Sequence, residues 1–179
     1  SLARGYSSDP AIRFKAAAGG MMTALGVYLV ETGKVDCVVH VQASADQPMH
    51  TDGKISSTRD QVIAGAQSRY GPAAPLTEVM RLLDEGKRFA VAAKPCDIAA
   101  MRNLARLDPR VNQQVPYMLT IFCGGVPTHE TAEKIAGYFG KEEKDLDIFR
   151  FRGEGWPGAT HVHTKSGETF ELTYDQAWL

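Results

Sequence analysis

The sequence has few cysteines, no excess of charge of one sign and no long apolar run. The 179 residues include three cysteines, an odd number without a close pair, so no disulfide framework is indicated and we expect a reducing, cytoplasmic location. Lys and Arg total 20 against 21 Asp and Glu, a balance that argues against electrostatic binding of nucleic acid. The apolar stretch at 16–30 has 15 residues, fewer than the roughly 20 that cross a bilayer. We therefore predict neither a transmembrane segment nor, without a basic leader, a secretory signal.

What the chain does have is an alternation of short apolar runs with segments of helical spacing. The apolar runs predict strands at 35–41, 89–93 and 117–123, each buried on both faces of a sheet. Helices are predicted at 20–32, from Thr58, at 75–86, from Pro95 and at 128–139. The first helix is apolar almost all round, which predicts that it is buried. This alternation indicates an α/β fold with a mainly parallel sheet flanked by helices.

After residue 147 the pattern changes to antiparallel β structure. Residues 160–164 and 169–174 flank a tight turn at Ser166-Gly167, which predicts a hairpin. We interpret residues 1–179 as a single α/β domain with a core at 8–145 and an antiparallel β hairpin extension at 146–179, at one side of the sheet. Because the chain begins without Met and stops just beyond a predicted strand, we expect it to be a fragment of a longer chain.

Paired glycines precede the first long helix. Gly19 and Gly20 would expose backbone N–H groups at the electropositive end of that helix, where a phosphate can approach closely. The segment matches neither a P-loop nor the dinucleotide fingerprint. A tight packing contact is the alternative explanation for the two glycines.

Two loops combine aromatic, cationic and glycine residues. Residues 65–71 bring together an amide, a hydroxyl, a guanidinium and an aromatic ring, carried by Gln67, Ser68, Arg69 and Tyr70. Arg can bind a phosphate with two hydrogen bonds, and Tyr can stack on a planar ring. Residues 149–158, which include Trp156, could cover a planar cofactor. A solvent-exposed connector and an edge strand with a turn are the respective alternatives.

Two cysteines are predicted at the carboxyl edge of the sheet. Cys96 falls in the first turn of the helix that begins at Pro95, and Cys123 ends the neighbouring strand. In a parallel sheet both thiols would lie along one rim, a usual ligand position in α/β proteins. The helix N-terminus and Lys94 favour a thiolate at Cys96, whereas Asp97 opposes it. Cys96 is thus a candidate nucleophile or a metal or cluster ligand, and a small buried hydrophobic residue is the alternative.

Other signatures of catalysis are absent or incomplete. The sequence contains no CxxC, no HExxH and no nucleophile-elbow serine motif. His161 and His163 share one face of the predicted hairpin and could chelate a metal, but no third ligand is apparent, and a solvated face is the alternative. Cys37 lies inside its strand and is predicted to belong to the core.

Several short motifs follow one another in an order found in a known family. They are Ala16-Ala17-Ala18-Gly19-Gly20 with Thr23-Ala24-Leu25, Thr32-Gly33-Lys34-Val35-Asp36, Gln67-Ser68-Arg69-Tyr70, Lys94-Pro95-Cys96-Asp97-Ile98-Ala99-Ala100-Met101-Arg102, Phe122-Cys123 and Phe151-Arg152-Gly153. Each motif alone is short, but the resemblance that they indicate spans about residues 8–178, nearly the whole chain. Because it carries these motifs in this order, the chain resembles the coenzyme F420 hydrogenase/dehydrogenase beta-subunit family.

The resemblance implies an FAD-binding, iron–sulfur electron-transfer subunit of an oxidoreductase. Such a protein moves electrons or hydride between the clusters of a partner subunit, flavin and a soluble acceptor. The acceptor is a deazaflavin coenzyme in some relatives and a chlorophyll-type tetrapyrrole in others. Relatives carry further cysteine-rich segments beyond the ends of this chain, so a [4Fe–4S] cluster would be incomplete in this fragment.

The resemblance also implies roles for individual residues. The FAD phosphates would be held by Gly19, Gly20 and Thr23. The flavin would be lined by Gln67, Ser68, Arg69, Tyr70, Lys94 and Pro95. Cys96 and Cys123 would be cluster ligands or their close neighbours. Apart from the resemblance, we predict Lys94 and Cys96 as catalytic residues, with Lys94 stabilising a reduced, anionic flavin. We expect FAD along the carboxyl rim of the strands, with the Gly20 helix start and the Cys96 turn facing each other across one shared mouth.

Departures from the family pattern keep two other functions open. Ala17 and Ala18 replace serines that are common in relatives, which removes hydroxyl donors and would suit a docking subunit without a cofactor. Lys94 stands where relatives usually have Thr, and a thiol enzyme with Cys96 as nucleophile, activated by the helix N-terminus and Lys94, is the other alternative. Trp156 stands where many relatives have Cys.

Overall fold

The chain forms two β-sheets with helices packed against them. The computed structural model describes residues 3–178. The helices are α1 (Pro10–Lys15), α2 (Met21–Glu31), α3 (Arg59–Ala64), α4 (Val79–Asp84), α5 (Pro95–Leu107), α6 (Arg110–Gln114), α7 (His129–Tyr138) and α8 (Tyr174–Trp178). The strands are β1 (Cys37–Ala43), β2 (Thr51–Ser56), β3 (Phe89–Ala93), β4 (Tyr117–Thr120), β5 (Leu146–Arg150), β6 (Thr160–Thr164) and β7 (Thr169–Leu172). Two short 3₁₀ turns, Ala18–Gly20 and Glu143–Asp145, lie between them.

The first sheet has four strands in the order β2-β1-β3-β4. Strands β1, β3 and β4 are parallel, and β2 is antiparallel to β1. The predicted α/β class, with a mainly parallel sheet flanked by helices, is confirmed. Apolar periodicity does not predict β2, because its sequence, Thr-Asp-Gly-Lys-Ile-Ser, contains one large apolar residue.

Alternate residues of the central strands face opposite sides of this sheet. Cys37, Val39 and Val91 pack with Ile98 and Met101 of α5 on one face. Val38 and Ala90 pack with Leu29 of α2 on the other face. Because side chains along a strand alternate between faces, α2 and α5 cover opposite sides of the same sheet. The predicted core position of Cys37 is confirmed.

The second sheet has the antiparallel order β5-β6-β7. Its turn is closed by Gly167, whose φ of 88° suits glycine and whose N–H donates to the Thr164 carbonyl at 3.0 Å. The predicted hairpin is therefore confirmed. It does not extend one side of the first sheet, because it forms a separate sheet whose apolar side chains pack against α7. The division at residues 145 and 146 stays a prediction.

The strand predicted at 117–123 is confirmed only for residues 117–120, and its predicted burial on both faces is wrong, because Tyr117, Met118 and Leu119 are partly exposed and Thr120 is exposed. Strand β4 ends at Thr120, Ile121 is 50% exposed and Phe122 is fully exposed. The physical reason is the place of β4 at the edge of the sheet, where it pairs with β3 alone. Apolar composition predicted burial, but an edge position leaves part of the strand without a covering element.

The helix at 20–32 is confirmed as α2, but its predicted burial all round is wrong. Gly26, Val27 and Leu29 are buried, whereas Met21 and Tyr28 lie on an exposed side. The helix packs against one sheet face, α3 and α1, and these contacts leave Met21 and Tyr28 exposed. Within residues 3–178 no helix combines the length and the apolar character needed to cross a membrane.

Helix ends follow local hydrogen bonds that were only partly predicted. Thr58 caps α3 by accepting from the Gln61 N–H at 3.3 Å, but the Gln61 side chain accepts from Ser57 instead of closing the box on Thr58. Helix α4 begins at Val79, four residues after Pro75, because the intervening residues form turns.

The predicted strand at 169–174 ends early, at Leu172. The Thr173 hydroxyl accepts from the Gln176 N–H at 3.3 Å, and Gln176 Oε1 accepts from the Thr173 N–H at 2.9 Å. This reciprocal pair is a capping box, which starts α8 at Tyr174. Thr-x-x-Gln in the sequence could have signalled this helix.

A matched pair of substitutions in α5 tests the burial of its inner face. Met101 is 1% exposed and Leu107 is 84% exposed. We expect Met101→Ala to lower the free energy of unfolding by about 2–5 kcal/mol, because it leaves a cavity in the core. Leu107→Ala is expected to change it by less than about 0.5 kcal/mol. Urea unfolding of both variants measures the difference, and equal losses would contradict the position of this helix.

Candidate functional site

Several of the predicted site residues lie at the carboxyl edge of the first sheet. Lys94, Pro95 and Cys96 follow the end of β3, and Cys123 comes three residues after the end of β4. Residues 32–36 connect the C-terminus of α2 to the start of β1, and α2 packs back along β1 and β3. The N-terminus of α2 therefore lies at the carboxyl edge of the sheet. Ligands of open α/β sheets bind at this edge, especially where helices on opposite faces leave a crevice between them.

The glycine pair adopts a backbone conformation that favours glycine. Gly19 and Gly20 have φ values of 73° and 74°. A Cβ at Gly19 would lie 3.1 Å from the Tyr6 Cβ, and one at Gly20 would lie 3.1 Å from the Ile12 Cγ2. The glycines therefore permit close packing of the N-terminal segment, which was the alternative to phosphate binding.

The same pair leaves the start of α2 without a cap. Gly20 is the N-cap residue, no described side chain hydrogen-bonds to the first turn, and no acidic residue lies in that turn. The first N–H groups of an α-helix have no partner within the helix, and they carry a partial positive charge. Thr23, the third residue of α2, is partly buried beside them. An anion can bind here without displacing a protein ligand.

A hollow of about 530 Å³ opens beside this helix start. Its lining combines aromatic rings, one guanidinium and backbone of the glycine segments: Tyr6, Pro10, Arg13, Phe14, Ala16, Ala18, Gly19, Gly155 and Trp156. A volume of this size lies within the range of small-molecule sites. We call it the aromatic hollow.

Arg69 joins the two sheets. Its guanidinium donates to four oxygen atoms of the protein, namely Thr51 Oγ1 (3.1 Å) and the carbonyls of Pro48 (2.9 Å), His50 (2.6 Å) and Phe149 (2.8 Å). Partial burial lowers the pKa of Arg69 to about 10, which still leaves the group charged at neutral pH. Four of its five N–H groups are thus used inside the protein.

The other residues of the 67–70 loop take different positions. Ser68 forms a β-bridge with Arg152, and Tyr70 packs its ring 4.7 Å from the Trp178 ring. Gln67 has a buried side-chain oxygen without a hydrogen-bond partner among the described residues. The loop is therefore largely engaged in holding the second sheet, and its predicted role at the flavin is untested.

Lys94 and Asp97 form an ion pair at the start of α5. The Lys94 Nζ lies 2.9 Å from the Asp97 Oδ2, and both side chains are mostly buried. Together with Arg69 they line a second hollow of about 40 Å³, which holds little more than one water molecule. The structure thus brings Lys94 and Arg69 together, and Asp97 offsets the charge that was expected to favour a Cys96 thiolate.

The expected shared mouth between Gly20 and Cys96 stays a prediction, because neither residue lines either of these hollows. The aromatic hollow and the smaller hollow have no lining residue in common. The reason is the alternation of side chains along β1 and β3, which packs α2 on one face of the sheet and α5 on the other. A ligand that contacts both helix starts has to cross the carboxyl edge of the sheet.

No metal site is formed within residues 3–178, where no three His, Cys, Asp or Glu side chains are grouped to hold an ion. Cys96 and Cys123 are exposed free thiols. The rings of His161 and His163 lie 6.3 Å apart, and His161 Nδ1 pairs with Glu171 Oε1 at 3.0 Å. A [4Fe–4S] cluster takes four thiolates, so the described residues do not fit a complete one.

Three residues of the aromatic hollow were missed from the sequence. Tyr6, Arg13 and Phe14 belong to the N-terminal segment and the six-residue α1, where no apolar periodicity marks them. The sequence does contain one recognisable pattern at this hollow, the spacing Gly153-x-Gly155-x-x-Gly158, whose Gly155 belongs to the lining. These glycines have φ values of 136°, 120° and 83°, but the segment leads into β6 and not into a helix, so it is no dinucleotide fingerprint.

Two family models match this chain, and both describe the beta subunit of coenzyme F420 hydrogenase/dehydrogenase. The model of the N-terminal part of that protein matches residues 2–81. The model of its C terminus matches residues 86–178. Both halves of the chain are therefore similar to the same family, in the family's order.

Curated relatives come from methanogens. The F420-dependent formate dehydrogenase 1 subunit beta of Methanococcus maripaludis is 31% identical over 141 residues, 78% of this chain and 36% of the relative. The F420-dependent formate dehydrogenase subunit beta of Methanocaldococcus jannaschii is 31% identical over 162 residues, 90% of this chain and 41% of the relative. The coenzyme F420 hydrogenase subunit beta of Methanosarcina barkeri is 29% identical, covering 65% of this chain and 42% of the relative. This chain spans about two fifths of their length.

The fold is also found in a solved structure. A chain of the F420-reducing [NiFe] hydrogenase complex from Methanosarcina barkeri matches with a TM-score of 0.71 at 21% identity. The match covers 96% of this chain and 60% of that chain. The two share their fold.

Replacing Arg69 tests its role between the sheets. We expect Arg69→Met to lower the free energy of unfolding by about 2–3 kcal/mol, because four oxygen acceptors lose their donor. Arg102→Met, on the exposed side of α5, serves as the matched control and is expected to change it by less than about 0.5 kcal/mol. Urea unfolding distinguishes the two, and an Arg69 variant as stable as the control would show that this junction does not depend on the guanidinium.

His40 predicts a pH dependence of stability. Burial lowers the pKa of His40, whose Nε2 lies 2.8 Å from Ser56 Oγ. The unfolded chain binds a proton at His near pH 6.5, so the stability contribution is full above that pH and is lost as the pH falls below it, with a limiting slope of about 1.4 kcal/mol per unit. Urea unfolding between about pH 7.5 and 5.5 is expected to show a smaller loss for His40→Gln, and parallel curves would contradict this.

Proposed function

The chain belongs to the coenzyme F420 hydrogenase/dehydrogenase beta subunit family, and from that membership we propose that it is the FAD-binding, electron-transferring part of an oxidoreductase subunit. The observation that carries the proposal is the uncapped N-terminus of α2 at the carboxyl edge of the parallel sheet. This is where α/β proteins bind the phosphates of dinucleotides.

The phosphates of FAD would bind at the start of α2. Gly19 and Gly20 let the backbone turn into the helix with positive φ, and the first N–H groups then face an incoming anion. Thr23 supplies a hydroxyl in the first turn, which partly replaces the hydroxyls lost at Ala17 and Ala18. The FAD phosphates could bind without a net positive charge on the protein, because the N-terminus of α2 supplies a local positive potential.

The flavin would lie along the open carboxyl edge, at the Lys94 side. Lys94 is held by Asp97 and stands beside Arg69 in the smaller hollow, whose volume is too small for the ring to enter. The ring is therefore proposed to lie against the rim formed by Lys94, Pro95 and the 67–70 loop. A dinucleotide extended from α2 to α5 crosses the sheet edge, which is how ligands bind at the crevice of open α/β sheets.

Bound FAD would supply the redox chemistry, since a flavin can take up two electrons and release them one at a time. The residues of this chain would position it. The ion pair keeps the Lys94 ammonium at a defined point of the rim, where it would donate a hydrogen bond to the reduced ring, while Asp97 offsets part of its charge. Arg69 holds the neighbouring loop in place through its bonds to both sheets.

The electron partners are proposed by analogy with the family. A soluble deazaflavin coenzyme is the proposed acceptor, and a partner subunit with iron–sulfur clusters is the proposed donor. Cys96 and Cys123 remain proposed cluster ligands or neighbours, but two thiols do not complete a [4Fe–4S] cluster, and we derive no step through one. We further propose that residues 1–179 act as one flavin-binding domain in a cytoplasmic complex.

A second function is favoured by one observation, the exposure of Cys96 at the start of the 13-residue α5. A helix N-terminus can activate such a thiol as a nucleophile. The Lys94–Asp97 pair weakens this case, because Asp97 offsets the positive charge beside the thiol. A thiol enzyme would turn over without flavin and lose that turnover on alkylation of Cys96, whereas the proposed flavin protein has no flavin-independent turnover.

Flavin binding tests the proposal directly. We expect the protein, purified without oxygen and mixed with FAD, to retain about one flavin per chain after desalting. Thr23→Val is expected to weaken FAD binding about tenfold in calorimetry, because a hydrogen bond to a charged group is lost. Thr32→Val, at the opposite end of the same helix, is the matched control and should leave the affinity unchanged.

A wild-type protein that binds neither FAD nor FMN would overturn the proposed function and favour a docking role without a cofactor. Equal weakening by the Thr23 and Thr32 variants would show that the α2 N-terminus is not the phosphate site.

A further inference from the structure

The strands at the sheet edges differ in charge. The orders β2-β1-β3-β4 and β5-β6-β7 leave β2, β4, β5 and β7 at edges. Three of these strands carry charged residues: Asp52 and Lys54 in β2, Asp147 and Arg150 in β5, and Glu171 in β7. Strand β4 has none, and residues 111–128 around it contain no Lys, Arg, Asp or Glu. Because charges on an edge strand discourage pairing with another chain, β4 lacks the protection that the other edges have.

Apolar side chains are exposed directly beyond this edge strand. Residues 121–127 follow β4 without forming a helix or a strand. Ile121 and Val126 are about half exposed, and Phe122 is fully exposed. Unpaired backbone groups of an edge strand next to exposed apolar side chains form a surface to which another polypeptide can bind.

The accessible surface of the whole chain is larger than that of an isolated domain of this mass. It is 10146 Å², whereas a monomer of 19.5 kDa exposes about 8,500 Å². The excess of roughly 1,600 Å² is within the range that one partner buries in a permanent complex. The chain therefore has enough surplus surface for a stable interface.

Two arginines border the β4 edge. Asp97 lies on the side of α5 that faces β1 and β2, since it lines the smaller hollow with Val41 and Thr51. At about 100° per residue, Arg102 and Arg106 lie on the opposite side of that helix, toward β4. Both are exposed, and neither takes part in an ion pair among the described residues. Their charges are therefore available to a partner.

The charge at this border determines which partner fits. If the β4 strands of two copies paired antiparallel, a two-fold axis perpendicular to the sheet would relate them and set the two α5 helices side by side. Arg102 and Arg106 of both copies would then face one another, and like charges across an interface oppose association. A strand flanked by Asp or Glu would instead form ion pairs with these guanidinium groups. The surface therefore favours an acidic partner over a second copy of the chain.

We propose that the free edge of β4 binds an extended segment of a partner protein, apolar in its centre and flanked by acidic residues. The segment would add a fifth strand to the first sheet by hydrogen bonding to the backbone of β4. Its apolar side chains would cover Ile121 and Phe122, and Arg102 and Arg106 would select it by charge. The interface needs no flavin, so the inference goes beyond the proposed function and does not depend on it.

Photo-crosslinking in the cells that make this protein tests the proposal. A photoreactive phenylalanine analogue replaces Phe122 or, as the matched control, Tyr138, an exposed ring on α7. We expect the analogue at position 122 to crosslink to another polypeptide, at an apolar segment with Asp or Glu on its flanks, which peptide mass spectrometry identifies. The analogue at position 138 should not give that product.

Charge reversal tests the role of the two arginines. Arg102→Glu combined with Arg106→Glu is expected to lower the yield of this crosslink about tenfold, because each substitution replaces an attraction with a repulsion. Lys87→Glu combined with Arg88→Glu makes the same change in net charge at exposed residues just before β3, and should leave the yield unchanged. Urea unfolding of both double variants checks that the fold is kept.

Several outcomes would overturn the proposal. A crosslink from position 122 to a second copy of this chain, or to a segment without acidic residues, would show a different occupant. The absence of any crosslink would show that the β4 edge is free in the cell, and equal yields from the two double variants would show that the arginines do not select the partner. Failure to bind FAD would bear on the proposed function alone.

Discussion

The half-buried guanidinium of Arg69 is the interaction on which the arrangement of the molecule depends. Among the described residues no strand of one sheet pairs with a strand of the other, and an isolated bridge joins Ser68 and Arg152, which lie outside the strands. Arg69 bonds to Thr51 in the first sheet and to the Phe149 carbonyl in the second. A second arginine, Arg150, extends the junction by donating to the carbonyls of Lys15 and Ala66. Guanidinium groups suit this task because several donors in one plane can satisfy carbonyls from different segments at once.

This junction also determines where a ligand can bind. The hydrogen bond from Arg150 to the Lys15 carbonyl joins the end of α1 to the strand that leads into the Trp156 segment. The position of the aromatic hollow therefore depends on how the second sheet packs against α1. On the other side of the first sheet, Arg69 reaches the hollow that Lys94 lines. One set of contacts therefore holds residues that line both hollows.

Local patterns were sufficient for much of the fold. Phe89–Ala93 followed by Pro95 predicted a buried strand and a helix start, and Ser166-Gly167 predicted a tight turn, because these features depend on neighbouring residues alone. Predictions failed where the outcome depended on distant residues. The exposure of Phe122 follows from the edge position of β4, and strand order is not encoded in the strand itself. The candidate site shows the same division. The helix-start positions of Gly19, Gly20 and Cys96 could be predicted from neighbouring residues. The hydrogen-bond partners of Arg69 could not, because they lie about 20 and 80 residues away in the sequence.

The sequence by itself determined the class of fold, the family resemblance and the starts of α2, α3, α5 and α7, since each rests on composition, spacing and motif order along one continuous segment. Only the tertiary structure decided that α2 and α5 cover opposite faces of one sheet, that Gly19 and Lys94 line separate hollows, and that Tyr6, Phe14 and Trp156 line the same hollow. The physical reason is that faces and hollows arise from side-chain alternation combined with strand order and sheet docking. Those are properties of contacts between segments and not of any segment alone.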